Sequence, residues 1–145
     1  MAENLNPERW LFVCTGNICR SPMAEEVARR LGPGTMVFSS AGTHAIPGNP
    51  ATAAGVQVAA ELGFDLSSHR ATQLTGTVVA GADLILAMEE HHAAAARRFA
   101  PHATVELLDP AGAGIDDPYG GTAADYRSSY EAIVDAVRAR LALGE

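Results

Sequence analysis

Cys14 and Arg20 frame the loop Cys14-Thr15-Gly16-Asn17-Ile18-Cys19-Arg20, which follows the apolar run Trp10-Leu11-Phe12-Val13 and leads into Ser21-Pro22. A thiol is a nucleophile, and a guanidinium is a planar fork that matches two phosphoryl oxygens, which a lysine's point charge does not. A short loop between a strand and a helix can turn its backbone N–H groups inward, making an anion nest at the positive end of the helix. The same field favours the thiolate, so the cysteine can attack without an adjacent base. Ser21, one turn from the sulfur, is placed to hydrogen-bond it. Thr15, Gly16, Asn17, Ile18 and Cys19 are the candidate walls of the cavity. In-line attack by Cys14 on phosphorus would leave a thiophosphoryl intermediate for water to hydrolyse, with charge on the equatorial oxygens held by the nest and Arg20.

An alkoxide or phenoxide leaving group needs a proton, so a general acid must reach the same mouth. Two Asp-Pro pairs are available. Asp109-Pro110 closes a strand, whereas Asp117-Pro118-Tyr119-Gly120-Gly121 carries an aromatic able to stack on a substrate and glycines that loosen the loop. Asp117 is the candidate acid, with Asp116 as its nearest rival.

These groups are far apart in the chain, and alternating strands and helices must bring them together. The first strand starts near Arg9, and its continuous apolar core marks a central strand covered on both faces. Ser21-Pro22 reads as a helix entry with serine as cap. Met23, Val27 and Leu31 share one face, Glu25 and Glu26 lie towards the positive end of the dipole, and Gly32-Pro33-Gly34 stops the helix. Strands are expected at residues 35–41, 82–88 and 105–108, and helices at about 51–62 and 89–99. Residues 67–75 read as irregular, and 109–121 as a loop. Tyr126, Tyr130, Ile133, Val134, Val137 and Leu141 make one apolar stripe at helical period. The pattern predicts an α/β fold, a three-layer, doubly wound, four-stranded parallel sheet with helices on both faces and a phosphate-binding loop after the first strand. Ligands of such sheets bind at the carboxyl ends of the strands, where Cys14, Met88 and the loop after Leu108 all fall.

The totals set limits. The 145 residues are expected to form one domain, with residues 1–8 as an N-terminal arm. All ten basic residues are arginine, and a formal charge of −7 argues against nonspecific nucleic-acid binding. No apolar stretch approaches the ~20 residues needed to span a bilayer. Two cysteines and no apolar signal core point to a reducing, cytoplasmic setting.

Cys14-Thr-Gly-Asn-Ile-Cys-Arg-Ser21 together with Asp117-Pro-Tyr119 resembles the low-molecular-weight protein-tyrosine phosphatase family over nearly the whole chain. The resemblance implies Cys14 as nucleophile, Arg20 as phosphate clamp and Asp117 as general acid. It also implies that Asn17 holds the loop's shape, that Ser21 hydrogen-bonds the thiolate, and that Ser40 and His69 support Asn17. Further implications are a phosphorylated protein substrate, phosphate, sulfate or another oxyanion in the loop, no cofactor or metal, and a monomer. Ile18 occupies a substrate-contacting position that is branched aliphatic in tyrosine phosphatases and threonine in the related protein-arginine phosphatases, which favours phosphotyrosine. The stretches Ala82–Met88 and Asp117–Gly121 resemble the arginine branch more closely. Gly120 stands where a second aromatic often follows Asp-Pro-Tyr, and His44 or Ile46 stands where the first aromatic wall is expected. Arsenate reductases share the fold but relay oxidation through additional cysteines, and this chain has none beyond Cys19. A noncatalytic phosphate-binding module would not need Cys14, Arg20 and Asp117 together.

Read alone, Cys19 is a packing residue. Its spacing permits a reversible disulfide with Cys14 that would shield the nucleophile from overoxidation. Glu89, Glu90, His91 and His92 invite a metal reading, but such sites need three or four converging ligands, and the stretch is assigned to a solvated helix face.

Overall fold

A computed structural model describes residues 7–143. The elements run β1 (Arg9–Cys14), α1 (Arg20–Leu31), β2 (Val37–Gly42), α2 (Ala53–Glu61), α3 (Gly76–Ala80), β3 (Leu84–Ala87), α4 (Glu90–Phe99), β4 (Thr104–Leu107) and α5 (Ala123–Leu143). The strands form one parallel sheet in the order β2-β1-β3-β4. The chain leaves β1 to build β2 on one side, then crosses to build β3 on the other. The crevice at the carboxyl ends of β1 and β3 is therefore the topological switch point, where α/β sheets bind ligands.

The continuous apolar run of β1 divides by the period of two of a strand. Trp10, Phe12 and Cys14 enter the core shared with α1, α2 and α5, while Leu11 and Val13 enter the opposite core with α3 and α4. The first core is aromatic, with Trp10 and Phe38 edge to face at 5.7 Å and Tyr126 and Tyr130 likewise. The second rests on Ala41, Ala87, Ala93 and Ala96, whose small side chains let α4 lie close on the sheet. In α5, Tyr126, Tyr130, Ile133 and Val137 are buried as the stripe requires, and Val134 and Leu141 pack at its margin.

Several local expectations are corrected. Helix α1 starts at Arg20, and Cys19 rather than Ser21 occupies its cap, with no side-chain capping bond. Ser21 lies inside the helix, and its hydroxyl meets Cys14 Sγ and the Asn17 side chain. Glu25 and Glu26 sit beyond the first turn, which holds no acidic residue; both form ion pairs with arginines four residues on, Arg29 and Arg30. Leu31, the last residue of α1, is 42% exposed, so the shared face is covered fully only at Met23 and Val27. The short helix α3 arises inside a segment with no apolar period; Thr75 starts it by accepting from the Val78 N–H. Of the expected arm, residues 1–6 lie outside the described residues, and Glu8 is already fastened: the Val37 N–H donates to its carbonyl and the Trp10 indole to its carboxylate, both at 2.9 Å. Among the described residues no helix is long and apolar enough to cross a membrane.

Candidate active site

The loop from Cys14 to Arg20 turns back sharply enough to need Asn17 at φ 56°, the one non-glycine residue with positive φ among those described. Asparagine tolerates this region because its side chain can bond locally, and here both polar atoms of the side chain are used. Asn17 Nδ2 donates to Ser21 Oγ (2.8 Å) and Ser40 Oγ (2.9 Å), and Oδ1 accepts from the Thr72 N–H (2.8 Å). Ser40 in turn donates to Glu25 at 2.5 Å. His69 Nε2 lies 2.6 Å from the Asn17 carbonyl.

The loop's carbonyls are pulled outward one after another by distant segments. Thr43 N–H donates to the Cys14 carbonyl (2.9 Å), His44 N–H to Thr15 (2.8 Å), Thr52 N–H to Ile18 (2.9 Å) and the Tyr130 hydroxyl to Cys19 (2.8 Å). With these carbonyls engaged by distant segments, the N–H groups of residues 15–19 meet no protein acceptor among the described residues. Gly42, at the end of β2, lets the loop come this close: a Cβ there would stand 2.5 Å from the Thr15 carbonyl oxygen and 2.9 Å from the Asn17 nitrogen.

The cavity inside the loop has a volume of about 160 Å³; residues 14–20 other than Asn17 line it, and Asp117 and Tyr119 close it. Cys14 Sγ is buried at the end of β1, 2.9 Å from Ser21 Oγ. Arg20 is only 1% exposed. Its Nη1 donates to the carboxylate of Glu89 and, at 2.7 Å, to the Ile115 carbonyl, while Nη2 lies 3.6 Å from Asp117 Oδ2. The Nε of Arg20 is buried with no protein partner. Tying down Nη1 leaves the Nε and Nη2 edge, met only by Asp117 at 3.6 Å, as the fork that can take two oxygens of an oxyanion.

Asp117 is half exposed at the mouth, with Oδ1 3.6 Å from the Cys19 thiol and accepting from the Tyr119 N–H at 3.1 Å. Asp116 is held differently, since Ser129 Oγ donates to its backbone carbonyl. Cys14 and Cys19 are both free thiols. Burial, reinforced by Cys14 and Asp117, pushes the Cys19 thiol up to about 12, so it stays protonated at neutral pH. A larger cavity of about 320 Å³ lies on the other side of Asn17, between α1 and residues 65–72. Its walls include Ser40 and His69, but it lacks the cysteine.

The sequence of residues 9–143 matches the family of low molecular weight phosphotyrosine protein phosphatases. The chain belongs to that family. A probable low molecular weight protein-tyrosine-phosphatase, EpsP, of Ralstonia nicotianae is 54% identical over 79 residues, which are 54% of this chain and 54% of that one; the match thus spans about half the length of that relative. Among solved structures, the tyrosine phosphatase Wzb from Escherichia coli K30 in complex with sulphate aligns with a TM-score of 0.90 at 32% identity, covering 95% of this chain and 99% of that chain. The YwlE arginine phosphatase from Geobacillus stearothermophilus aligns at 0.88 and 30% identity, covering 94% and 92%.

Within this family the structure brings Cys14, Arg20, Asp117 and Tyr119 to the cavity, and Ser21, Ser40 and His69 around Asn17. His44 and Ile46 do not line the cavity, so Tyr119 is its one aromatic wall among the described residues. The solvated-face assignment of the Glu89–His92 stretch is corrected. Glu90 and His91 are exposed, but His92 is fully buried and Glu89 reaches Arg20. Glu89 and His92 form a capping box at the start of α4, a signal present in their spacing of three. Gly42, Thr52 and Tyr130 carry no such local signature; they matter through what the fold brings against them.

Proposed function

We propose that the chain is a cysteine-dependent, metal-independent protein phosphatase that hydrolyses phosphotyrosine through a cysteinyl-phosphate intermediate. The observation that carries the reading is Arg20, a buried guanidinium with one nitrogen tied to the scaffold and an unpartnered Nε, next to loop N–H groups that meet no protein acceptor among the described residues. Such a site is complementary to a tetrahedral dianion. The sulphate of the related Wzb complex is the same kind of oxyanion, and phosphate or sulfate is the expected occupant here.

In the first step Cys14 Sγ forms a bond to phosphorus as the bond to the ester oxygen breaks, and Asp117 gives its proton to the departing oxygen. Ser21, which accepts from Asn17, directs its own hydrogen to the sulfur and steadies the thiolate. The equatorial oxygens gather charge against the loop N–H groups and Arg20, whose geometry is set before the reaction. In the second step Asp117, now a carboxylate, takes a proton from water as that water attacks phosphorus and releases Cys14. Tyr119, 65% exposed beside the mouth, stacks on the aromatic leaving group, and Ile18 contacts it from the loop. The partner is a phosphorylated protein; nucleic acid and membrane are not, and a monomer in the cytoplasm is the expected form.

A second reading, a protein-arginine phosphatase, is favoured by the close structural likeness to an arginine phosphatase and by a cavity with Tyr119 as its one aromatic wall among the described residues. One assay separates the readings: turnover of phosphotyrosine and phosphoarginine peptides by the wild type and by Cys14→Ser. Phosphotyrosine turnover that disappears in the variant supports the first reading, and a preference for phosphoarginine supports the second. Equal rates for the two proteins would sink the mechanism.

A further inference from the structure

We propose that His92 is a positioning residue for this reaction, pinning Thr15 of the phosphate loop from across the switch-point crevice while it holds the turn that carries Glu89 to Arg20. The proposal rests on the phosphatase reading and deepens it.

His92 is fully buried in a helix whose neighbouring positions 90 and 91 face solvent. Its Nε2 lies 2.8 Å from Thr15 Oγ1, and its Nδ1 lies 3.1 Å from the backbone nitrogen of Glu89. The Glu89 N–H can only donate, so Nδ1 is the bare nitrogen and Nε2 carries the hydrogen that Thr15 accepts. Burial, with His91 beside it, pulls His92 down to about 4, which keeps the ring in this one-donor, one-acceptor form. Both nitrogens are thereby used. Glu89, His91 and His92 bring potential ligand atoms within 4.8 Å of one another, but a metal on His92 would have to displace one of these bonds, and the Glu89 carboxylate is already engaged by Arg20.

Thr15 follows the nucleophile directly. The Thr43 and His44 N–H groups hold the carbonyls of Cys14 and Thr15 from the β2 side, and His92 holds the Thr15 side chain from the β3 side. One imidazole therefore joins the loop that surrounds the phosphoryl group to the turn whose carboxylate fixes Nη1 of Arg20. Freed from His92, Thr15 is fastened by its backbone alone, and the N–H groups beside it lose their aim.

The test compares Thr15→Val, Thr15→Ser, His92→Leu and His92→Gln, with the Thr15→Val/His92→Leu double variant. Glutamine at this capping-box position can accept the Glu89 N–H and donate to Thr15. Thr15→Val and His92→Leu are expected each to lower kcat about tenfold and to weaken binding of inorganic phosphate, measured by calorimetry, by a similar factor. Thr15→Ser and His92→Gln should return both quantities to within about threefold of wild type, and the double variant should be no worse than His92→Leu, because the two changes remove the same bond. Equal behaviour of Thr15→Val and Thr15→Ser, or multiplying losses in the double variant, would overturn the proposal. If His92→Leu does not fold, combining Thr15→Val with His92→Gln gives the same decision: the pair should match Thr15→Val alone. Phosphate binding reads the positioning role without turnover, so an inactive wild type would count against the phosphatase reading and not against this one.

Discussion

The two loops that meet at the cavity are built in opposite ways. The loop from Cys14 to Arg20 is fastened at nearly every peptide by segments from across the molecule: Thr43, His44, Thr52, His69, Thr72 and Tyr130 all bond to it. The loop carrying Asp117 is anchored as far as Asp116, through Ile115 and Ser129. From there to Gly121 its backbone keeps only turn bonds, Tyr119 N–H to the Asp117 side chain and Gly121 N–H to the Pro118 carbonyl, and its ties to the other loop are the long ones of the Asp117 carboxylate to Cys19 and Arg20, both at 3.6 Å. The difference follows from what each does in the proposed reaction. Groups that stabilise developing charge act best when they need no rearrangement, whereas a proton donor must admit a substrate and then close on its leaving group.

The comparison can be broken at either loop. Replacing Asp117 by asparagine keeps an acceptor for the Tyr119 N–H and removes the proton. The kcat/KM for poor leaving groups, which reads the first step alone, should fall about 10²–10⁴-fold, with little change on activated aryl phosphates; a uniform loss of kcat/KM across leaving groups, or the same pattern from Asp116→Asn instead, would move the acid elsewhere. At the fastened loop, Gly42→Ala should cost about 10²-fold in kcat on every leaving group alike, because its methyl collides with the Thr15 and Asn17 backbone. Leaving-group dependence there would mean that the two loops are not separate.

A smaller effect is expected at Tyr130→Phe, which leaves the buried Cys19 carbonyl without its donor. Stability should drop by about 1–3 kcal/mol, read by denaturant unfolding, and an unchanged midpoint would show that this tie is dispensable. Smallest is the pH response of His92. Its folded value, about 4, lies below the ordinary 6.5, so between these values the unfolded chain binds the extra proton. Its contribution is complete above pH 6.5 and is lost as pH falls towards 4. Melting temperature should therefore decline over that window more in the wild type than in His92→Gln.

Much of this molecule can be read from its residues in order. The apolar run into Cys14, the five-residue spacing to Arg20 and the helical stripe from Tyr126 to Leu141 define the doubly wound sheet and its loop, because nucleophile, cation and helix start are neighbours in the chain and physical chemistry acts there at short range. The sequence likewise singled out Asp117, through a loop that sets a carboxylate beside an aromatic and two glycines. It did not reveal why the loop keeps its shape. The ties come from β2, α2, the 69–72 segment and α5, and no local pattern says which distant hydroxyl or N–H will meet which carbonyl. The stretch around His92 shows the limit most sharply: its spacing of three suits a ligand pair, a solvated face and a capping box equally. Only burial against Thr15, decided by where β3 lies beside β1, selects among them.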